Sequence, residues 1–302
     1  MCEARGMGVS AVELALRQQI MEQLAERVSR NGGVISRREL SAFEIGGREL
    51  RLIDISKGIW NPRWMDVTLS ITSTPNGPYD DQALDGGLLR YRYRAGSSGG
   101  DNTKLRAAVD TGVPLILLRW IADGLYVPVF PVYLVADDPI ERSVMVALDE
   151  SLRFILDRAN PTEDQRRYAE RIARVRLHQP EFRGKVIVAY ERRCSICELK
   201  HPELLDAAHI IPDGEPLGQP IVPNGIALCK IHHAAYDENL VGVDRDFGVH
   251  VNASLLLESD GPMLKHGLQE MHGRRLELPA RRADRPDPER LAMRFEQFMK
   301  AS

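Results

Sequence analysis

The chain contains 302 residues, of which 43% are hydrophobic, and carries a formal net charge of −3. This length fits two domains at roughly 150 residues each, and the near-neutral charge excludes a histone-like protein that binds nucleic acid over its whole surface. No apolar run approaches the roughly 20 residues that a membrane-spanning helix needs, so we expect no membrane insertion. The N-terminus lacks the basic segment and following apolar segment of a secretory signal, so we expect a cytoplasmic protein.

The first half of the chain predicts one helix followed by several strands. From Val9 to Val28 apolar residues recur at helical spacing, and Asn31-Gly32-Gly33 ends this pattern. Runs of β-branched and aromatic residues then predict strands over four segments, namely Glu49 to Ile55, Asp66 to Ile71, Pro114 to Trp120 and Tyr126 to Val135. The sequence therefore predicts a mainly β domain with a leading helix.

Three short motifs lie between these strands: Gly77-Pro78-Tyr79-Asp80-Asp81, the stretch from Tyr91 to Gly100, and Asp101-Asn102-Thr103-Lys104-Leu105. Together with the strands from Glu49 to Val135, they resemble the SRA (YDG) domain, which implies a barrel-like fold related to PUA domains. The resemblance implies that Tyr79 and Tyr93 sandwich a flipped modified cytosine while Asp81, or Asp80, reads its amino edge. The alternative is structural: one strand tyrosine belongs to the core, and the Tyr-Asp-Asp segment is an ordinary turn.

After Asp137-Asp138-Pro139 the pattern becomes mainly helical, following one more strand over Val144 to Leu148. The segments with helical patterning are Glu150 to Asp157, Glu163 to Arg176, Pro180 to Arg193, Pro262 to Met271 and Asp287 to Lys300. The Arg- and Pro-rich stretch from Pro279 to Pro288 is typical of a linker. We place the domain boundary near Ala159, which gives a domain over residues 1–158 and another over 159–302.

Three of the four cysteines lie close together in the second half of the chain. Cys194 and Cys197 form one pair with metal-ligand spacing, and Cys229 and His232 form another. Three thiolates and one imidazole form a complete tetrahedral ligand set, which is typical of structural Zn²⁺ sites and leaves no position for water or substrate. The alternative is a chance grouping of buried thiols without a metal.

Four polar residues follow in fixed order around this cysteine cluster: His209, Asn224, His233 and Asp237. On a helix, His233 and Asp237 share one face because they are four residues apart, so they can bind one divalent cation. His232 points about 100° away and is free to face the zinc. A neutral imidazole at His209 can take a proton from water near neutral pH. The structural alternatives are a hydrogen-bonded core histidine at position 209 and a turn residue at position 224.

This pattern resembles the HNH nuclease superfamily, in the four polar residues and in the segments Leu205 to Pro212 and Asn224 to Leu228. The spacing of the four residues is similar to that of the colicin-type nucleases. The resemblance covers residues 193–243 and implies a ββα-metal fold with His209 as general base and Asn224 orienting its loop. It also implies that His233 and Asp237 hold catalytic Mg²⁺ or Mn²⁺. Where many HNH enzymes have another ligand directly before the base, this chain has Ala208, and Asp206 is a reserve ligand.

The sequence thus predicts an α+β protein: an SRA/PUA-like barrel with a leading helix, and a zinc-knuckle ββα-metal nuclease domain with flanking helices. The resemblances imply a restriction endonuclease that depends on 5-methyl- or 5-hydroxymethylcytosine in double-stranded DNA. Because a nuclease with one active site cuts two strands more readily as a pair, a homodimer or paired binding on DNA is expected. The alternatives are an HNH nuclease with another recognition domain and a DNA-binding module with a degenerate nuclease.

Overall fold

The computed structural model describes residues 9–54, 57–74, 82–84, 88–93, 101–154 and 162–301. The chain divides into two units: Met1–Val28 with Gly33–Glu181, and Ser29–Gly32 with Phe182–Ser302. The predicted boundary near Ala159 lies outside the described residues, so the domain limits 1–158 and 159–302 stay a prediction. Within the described ranges, no helix is both long enough and apolar enough to cross a lipid bilayer.

The N-terminal unit is built on a curled sheet with helices at its sides. Its described helices are α1 (Ala11–Arg30), α2 (Arg37–Ser41), α3 (Asp101–Thr111) and α4 (Glu163–Ala173). Its described strands are β1 (Ile35–Ser36), β2 (Phe43–Ile45), β3 (Arg48–Leu50), β4 (Ile59–Trp60), β5 (Ser70–Ser73), β6 (Gln82–Leu84), β7 (Leu88–Arg92), β8 (Leu115–Ala122), β9 (Leu125–Asp138) and β10 (Ser143–Ala147). A 3-10 turn over Glu150–Phe154 follows β10.

Eight strands of this unit form one sheet in the order β4-β5-β8-β9-β10-β7-β6, and β1 pairs with β9 off this path. The pair β5 and β8 is parallel, and the other neighbouring pairs are antiparallel. Strand β8 is buried on both faces: Leu115 and Leu117 belong to one apolar cluster, while Ile116 and Leu118 belong to the other. This explains its uninterrupted apolar run, because a strand covered on both sides needs no polar alternation.

Several predicted elements of the first half are confirmed, and the sequence analysis missed the helices α2 and α3. Helix α1 and strands β8, β9 and β10 lie where the apolar patterns predict them. The strand predicted over Glu49 to Ile55 is wrong for residues 51–54, which follow β3 and form no strand, although Leu52 and Ile53 are buried. Ile55 lies outside the described residues. Helix α3 covers a segment that the sequence analysis used only as a motif, since its helical pattern is short and rich in polar residues.

The C-terminal unit surrounds two short hairpins with helices. A π-helical segment (Arg174–His178) links α4 to α5 (Gln179–Ala189), at whose beginning the two units divide. The further elements are β11 (Leu205–His209), β12 (Gly225–Cys229), α6 (Lys230–Asp237), β13 (Val241–Val243), β14 (Val249–Val251), α7 (Ala253–Leu257), α8 (Pro262–Gly267) and α9 (Pro288–Ala301). The order β11-β12-α6 is the ββα arrangement that the sequence predicts.

The antiparallel hairpin of β11 and β12 pairs Leu205 with Cys229 at one end and His209 with Gly225 at the other. Helix α5 approaches this second end so closely that a Cβ atom on Gly225 would lie 2.5 Å from Val186 Cγ2. Real Cβ atoms do not come so close to another carbon, so the packing of α5 requires glycine here. The glycine thereby fixes which side chains of α5 border the end of β11.

The segment from Pro279 to Pro288 is packed against the hairpin loop and is therefore not the predicted linker. The backbone N–H of Asp287 donates to the carbonyl of Pro223 at 2.9 Å, and Arg285 Nε donates to the carbonyl of Pro279 at 3.1 Å. A 3-10 turn over Arg282–Asp284 lies between them. Composition misled here, because the prolines and arginines form turns that make specific backbone contacts.

Candidate metal centre and active site

The four predicted zinc ligands converge on one point. The ligand atoms of Cys194, Cys197, Cys229 and His232 all lie within 4.8 Å of one another. The Cys229 Sγ and His232 Nδ1 atoms are 3.2 Å apart, and the Cys197 and Cys229 sulfurs are 4.0 Å apart. These separations and the Cys3His composition fit one tetrahedral Zn²⁺ ion. This set can therefore hold a metal.

Three different elements bring the four ligands together. Cys194 and Cys197 lie in the turn after α5, where the Glu198 N–H donates to the Cys194 carbonyl at 2.8 Å. The Ser195 N–H donates to the Ala227 carbonyl at 2.8 Å and so attaches this turn to β12. Cys229 ends β12, and His232 lies in the first turn of α6. The chain thus folds the two sequence pairs onto each other through backbone hydrogen bonds.

The imidazole of His232 is held for metal binding by its second nitrogen. Nε2 lies 2.7 Å from the Gly267 carbonyl, so it carries the proton and Nδ1 faces the three sulfurs. This is the usual outer-shell arrangement of a metal-bound histidine. Burial would lower the pKa of His232, but its hydrogen bonds with Cys197 and Cys229 outweigh burial and raise the pKa to about 10. Metal binding here therefore releases protons and weakens as the pH falls.

The predicted base, His209, ends β11 next to the hairpin end that α5 covers. Its ring stacks on Phe182 with centroids 4.1 Å apart and an angle of 24° between the planes. Burial is the main cause that lowers the pKa of His209, and the nearby charge of Asp213 opposes this effect. The Nε2 atom is buried and has no hydrogen-bond partner in the described part of the chain. Because an unpaired buried polar atom is unfavourable, a water or substrate group that bonds to it would be stabilised.

Asn224 holds the chain that follows His209. It is fully buried, its Oδ1 accepts from the Ile211 N–H at 3.0 Å, and its Nδ2 donates to the Ile211 carbonyl at 3.0 Å. Nδ2 also donates to the Gln219 carbonyl at 3.2 Å, and the Asn224 carbonyl accepts from the Ile210 N–H at 3.0 Å. The side chain therefore bridges the two sides of the loop that joins β11 to β12. The predicted orienting role and the turn role of this residue are both consistent with these bonds.

His233 and Asp237 lie one turn apart on α6, as their spacing predicts. His233 Nε2 is 3.4 Å from Asp237 Oδ2, a separation at which both atoms can bind one divalent cation at about 2.0–2.2 Å each. Their side chains are 23% and 60% exposed, so the pair is open to solvent on one side. These two residues therefore fit a catalytic ion that keeps coordination positions for water and phosphate oxygens.

Asp206 lies beside this pair in a group of positive side chains. Its Oδ2 is 3.0 Å from Lys230 Nζ and 3.7 Å from His233 Nδ1, and its Oδ1 is 3.3 Å from Arg183 Nε. Burial would raise the pKa of Asp206, but the neighbouring His233 ring and the hydrogen bond from Lys230 outweigh burial and hold the pKa far below its usual value. The neighbouring Asp206 carboxylate is also the main cause that raises the pKa of His233. Asp206 is therefore an ionised neighbour of the candidate metal pair.

Of the residues predicted to bind the flipped base, the structure describes only Tyr93. Tyr79, Asp80 and Asp81 lie outside the described residues. Tyr93 is 6% exposed and belongs to the apolar core of the N-terminal unit, and its hydroxyl donates to Asp137 Oδ1 at 2.9 Å. Tyr91 is fully buried and donates to the Gly58 carbonyl at 2.8 Å. The stacking role of Tyr93 stays a prediction, and its burial is what the structural alternative expects.

Sequence reasoning did not find two features of the candidate active site. The stacking of Phe182 on His209 joins residues 27 positions apart, and no local pattern pairs them. Arg183 donates from Nη2 to the Leu205 carbonyl at 2.7 Å and so holds the start of β11. Both residues were part of a predicted helix, but the direction of its side chains toward the hairpin depends on tertiary packing alone.

Comparisons with known proteins agree with this geometry for the C-terminal unit. Residues 194–244 match the sequence model of the HNH endonuclease family, a span that contains the zinc ligands, His209, Asn224, His233 and Asp237. The predicted HNH resemblance is thereby confirmed for residues 194–244 of the C-terminal unit. Among curated proteins, none matches the chain.

Several solved structures are similar to the chain at low sequence identity. The modification-dependent restriction endonuclease TagI is 14% identical over 87% of this chain and 90% of its own, with a TM-score of 0.32. The SRA domain of SUVH5, in a complex with hemimethylated CG DNA, is 20% identical over 37% of this chain and 79% of its own, with a TM-score of 0.26. The phosphorothioation-dependent restriction endonuclease ScoMcrA is 17% identical over 60% of this chain and 48% of its own, with a TM-score of 0.22.

Proposed function

We propose that this protein is a modification-dependent restriction endonuclease that recognises 5-methyl- or 5-hydroxymethylcytosine in double-stranded DNA and hydrolyses nearby phosphodiester bonds. The observation that carries the nuclease half is the ββα arrangement of His209, His233 and Asp237 inside the span that matches the HNH endonuclease family. The resemblance of residues 49–135 to the SRA domain supports the recognition half. Both halves together define an enzyme that reads a modified base and cuts the same DNA.

In the proposed reaction, His209 accepts the proton of the water that attacks the scissile phosphate. Its burial supports this role, because a lowered pKa keeps the imidazole neutral and able to take a proton at neutral pH. Asn224 holds the loop behind His209 through its bonds to Ile211, so the base keeps its position at the end of β11. The imidazole then passes the proton to solvent and is ready for the next substrate.

His233 and Asp237 would hold the catalytic Mg²⁺ or Mn²⁺. When bound, that ion supplies positive charge next to the phosphate and the departing 3′ oxygen. The Cys3His cluster would hold Zn²⁺ with a structural role, because its four ligands fill the tetrahedral set and are mostly buried. The two metals therefore have separate sites, and adjacent histidines on α6 serve them.

Cleavage of one plasmid in three forms tests the proposal: unmodified, 5-methylated and 5-hydroxymethylated at the same cytosines. We expect cleavage of at least one modified form with Mg²⁺ or Mn²⁺ and little cleavage of the unmodified form. Equal cleavage of all three forms would favour an HNH nuclease with another recognition domain. Binding without cleavage under either metal would favour a DNA-binding module with a degenerate nuclease. A linear product whose rate rises more than linearly with enzyme concentration would support a functional homodimer.

The base-flipping role of Tyr93 needs its own test, with Tyr91 as the matched core control. If Tyr93 stacks on a flipped cytosine, Tyr93→Ala loses about 1–3 kcal/mol of binding to modified duplex, while binding to plain duplex, which depends on phosphate contacts, changes little. Tyr91→Ala is expected to lower stability and to weaken both kinds of binding together. An equal loss on all duplexes for Tyr93→Ala would assign Tyr93 to the core as well.

A further inference from the structure

The ring of His233 lies between two carboxylates. Its Nε2 is 3.4 Å from Asp237 Oδ2, and its Nδ1 is 3.7 Å from Asp206 Oδ2. The two nitrogens are on different edges of the imidazole, so the two carboxylates meet the ring from different sides. A neutral imidazole has one donor nitrogen and one acceptor nitrogen. When the ring is neutral, as it must be to bind a metal ion, one carboxylate therefore faces the N–H and the other faces the lone pair.

The ring nitrogen that each carboxylate faces determines whether that carboxylate can bind the same metal ion as His233. Asp237 can share it, because its oxygen faces the same nitrogen at a separation that one cation spans. Asp206 faces the other nitrogen, and an ion bound at Nε2 lies away from it. Within the described ranges, only the Cys3His set brings three or more potential ligand atoms within 4.8 Å of one another. Asp206 therefore does not replace the ligand that is missing at Ala208.

We propose that Asp206 is a positioning residue that accepts the Nδ1 proton of His233 and so directs the Nε2 lone pair toward the catalytic metal. This inference rests on the proposed function, because it concerns the ion that His233 and Asp237 hold. A shift of about 0.5 Å brings the Nδ1 and Oδ2 atoms into hydrogen-bond range. Metal-bound histidines commonly give their other ring proton to a carboxylate in this way.

Asp206 is itself fixed well enough to orient another residue. Its Oδ1 accepts from the Ala207 N–H at 3.0 Å and lies 3.3 Å from Arg183 Nε, while Lys230 Nζ donates to its Oδ2 at 3.0 Å. Arg183 in turn bonds to the Leu205 carbonyl, so the carboxylate and the strand that carries it are held together. A carboxylate can orient a neighbouring imidazole only if other contacts fix the carboxylate itself.

The proposal also explains how a site with two protein ligands can bind a cation. Without Asp206, His233 can place its proton on either nitrogen, and only the tautomer that is free at Nε2 binds the ion. A fixed tautomer and ring orientation remove this competition and raise metal affinity, which such outer partners change by about 10–100-fold. Asp206 thus compensates in part for the alanine that precedes the base.

Mn²⁺ binding to the zinc-loaded full chain without DNA, measured by calorimetry, tests the proposal. We expect Asp206→Ala to weaken Mn²⁺ binding by about 10–100-fold, Asp206→Asn to weaken it less, and Asp237→Ala to abolish measurable binding. Glu203→Ala is the matched control, because it removes another carboxylate of the same unit, one that pairs with His201 and not with His233. Its Mn²⁺ affinity should stay near that of the wild type. Zinc content and thermal unfolding of each variant establish that it is folded.

Two outcomes would overturn the proposal. An affinity of Asp206→Ala within about twofold of the wild type would remove the positioning role, and losses as large as that of Asp237→Ala for both Asp206 variants would make Asp206 a ligand. Long-range ¹H–¹⁵N spectra of the metal-free wild type provide a test that needs no variant of Asp206. His233, assigned by comparison with His233→Gln, must carry its proton on Nδ1 when neutral, and a proton on Nε2 would contradict the proposal. Because these readouts use no DNA, they fail independently of the proposed endonuclease function.

Discussion

The two candidate metal sites of the C-terminal unit share helix α6 but differ in every physical property that matters for function. His232 is 2% exposed and faces three sulfurs, with its second nitrogen on a backbone carbonyl. His233, the next residue, is more exposed and has one carboxylate at each ring nitrogen. A filled and buried ligand set stabilises a fold, whereas an open pair leaves coordination positions for a reaction. In the proposed function, the two adjacent histidines have different roles because the helix points them in different directions.

Replacing each histidine in turn tests this difference between the two sites, and it is expected to give the largest effect. His232→Ala is expected to lose zinc and the cooperative unfolding of the C-terminal unit, because structural zinc contributes about 10 kcal/mol or more to such small folds. His233→Ala is expected to keep zinc and the unfolding transition while losing cleavage. Elemental analysis, thermal unfolding and plasmid cleavage of both variants check this prediction. Full zinc content and an unchanged melting profile in His232→Ala would contradict the structural assignment.

Replacement of His209, the proposed base, should lower the cleavage rate and leave the fold unchanged. His209→Ala is expected to lower the single-turnover cleavage rate by about 10²–10⁴-fold, the usual contribution of acid-base catalysis, without changing zinc content. His201→Ala is the matched control, because His201 is an exposed histidine of the same unit whose recorded partner is Glu203. Rapid-quench cleavage of modified DNA gives the rate. A His209→Ala variant that retains more than about a tenth of the normal rate would refute the assignment.

Variants of Asn224 test whether its side-chain hydrogen bonds stabilise the loop that follows His209, as zinc is expected to stabilise the Cys3His cluster. Asn224→Ala leaves the backbone N–H and carbonyl of Ile211 without their side-chain partner, which costs about 1–3 kcal/mol for each group left unpaired. Asn224→Asp keeps the acceptor but buries a carboxylate that faces the Ile211 and Gln219 carbonyls, so its loss should be at least as large. Chemical denaturation measures both. Equal stability of all three proteins would show that these bonds do not hold the loop.

The smallest expected effect is the pH dependence of cleavage. In the proposed reaction the active form of His209 is neutral, so we expect the rate to rise with pH through the pKa of His209. Because burial lowers this pKa, the rise is expected below the ordinary value of 6.5. Phe182→Leu should move the rise to higher pH, because it exposes the ring that Phe182 covers. Single-turnover rates at saturating metal across the acid range measure the midpoint. A midpoint above 6.5 in the wild type would show that burial does not control this base.

Much of the candidate site could be predicted from the sequence because its residues follow short spacings. Two metal-ligand pairs predicted the zinc cluster, and the one-turn spacing of His233 and Asp237 predicted the second pair. The ββα order also followed from the motif. In the N-terminal unit the apolar runs of β8 and β9 were sufficient to predict strands. Helix α3 was missed because local patterning over eleven residues was weak and the segment carries few apolar side chains.

Tertiary structure alone decided the contacts between residues far apart in the chain. No spacing predicts that Phe182 covers His209, that Gly225 must be glycine for α5 to approach, or that the Pro279 to Pro288 stretch packs on the hairpin loop. The role of Asp206 was open in the sequence because strand position does not tell which nitrogen of His233 it meets. Residue types and their spacing along the chain identify the candidate metal ligands and the candidate base, because the geometry of a single helix or strand is set locally. Packing between elements determines burial, ring orientation and the nearest charge, and these set how each of those residues works.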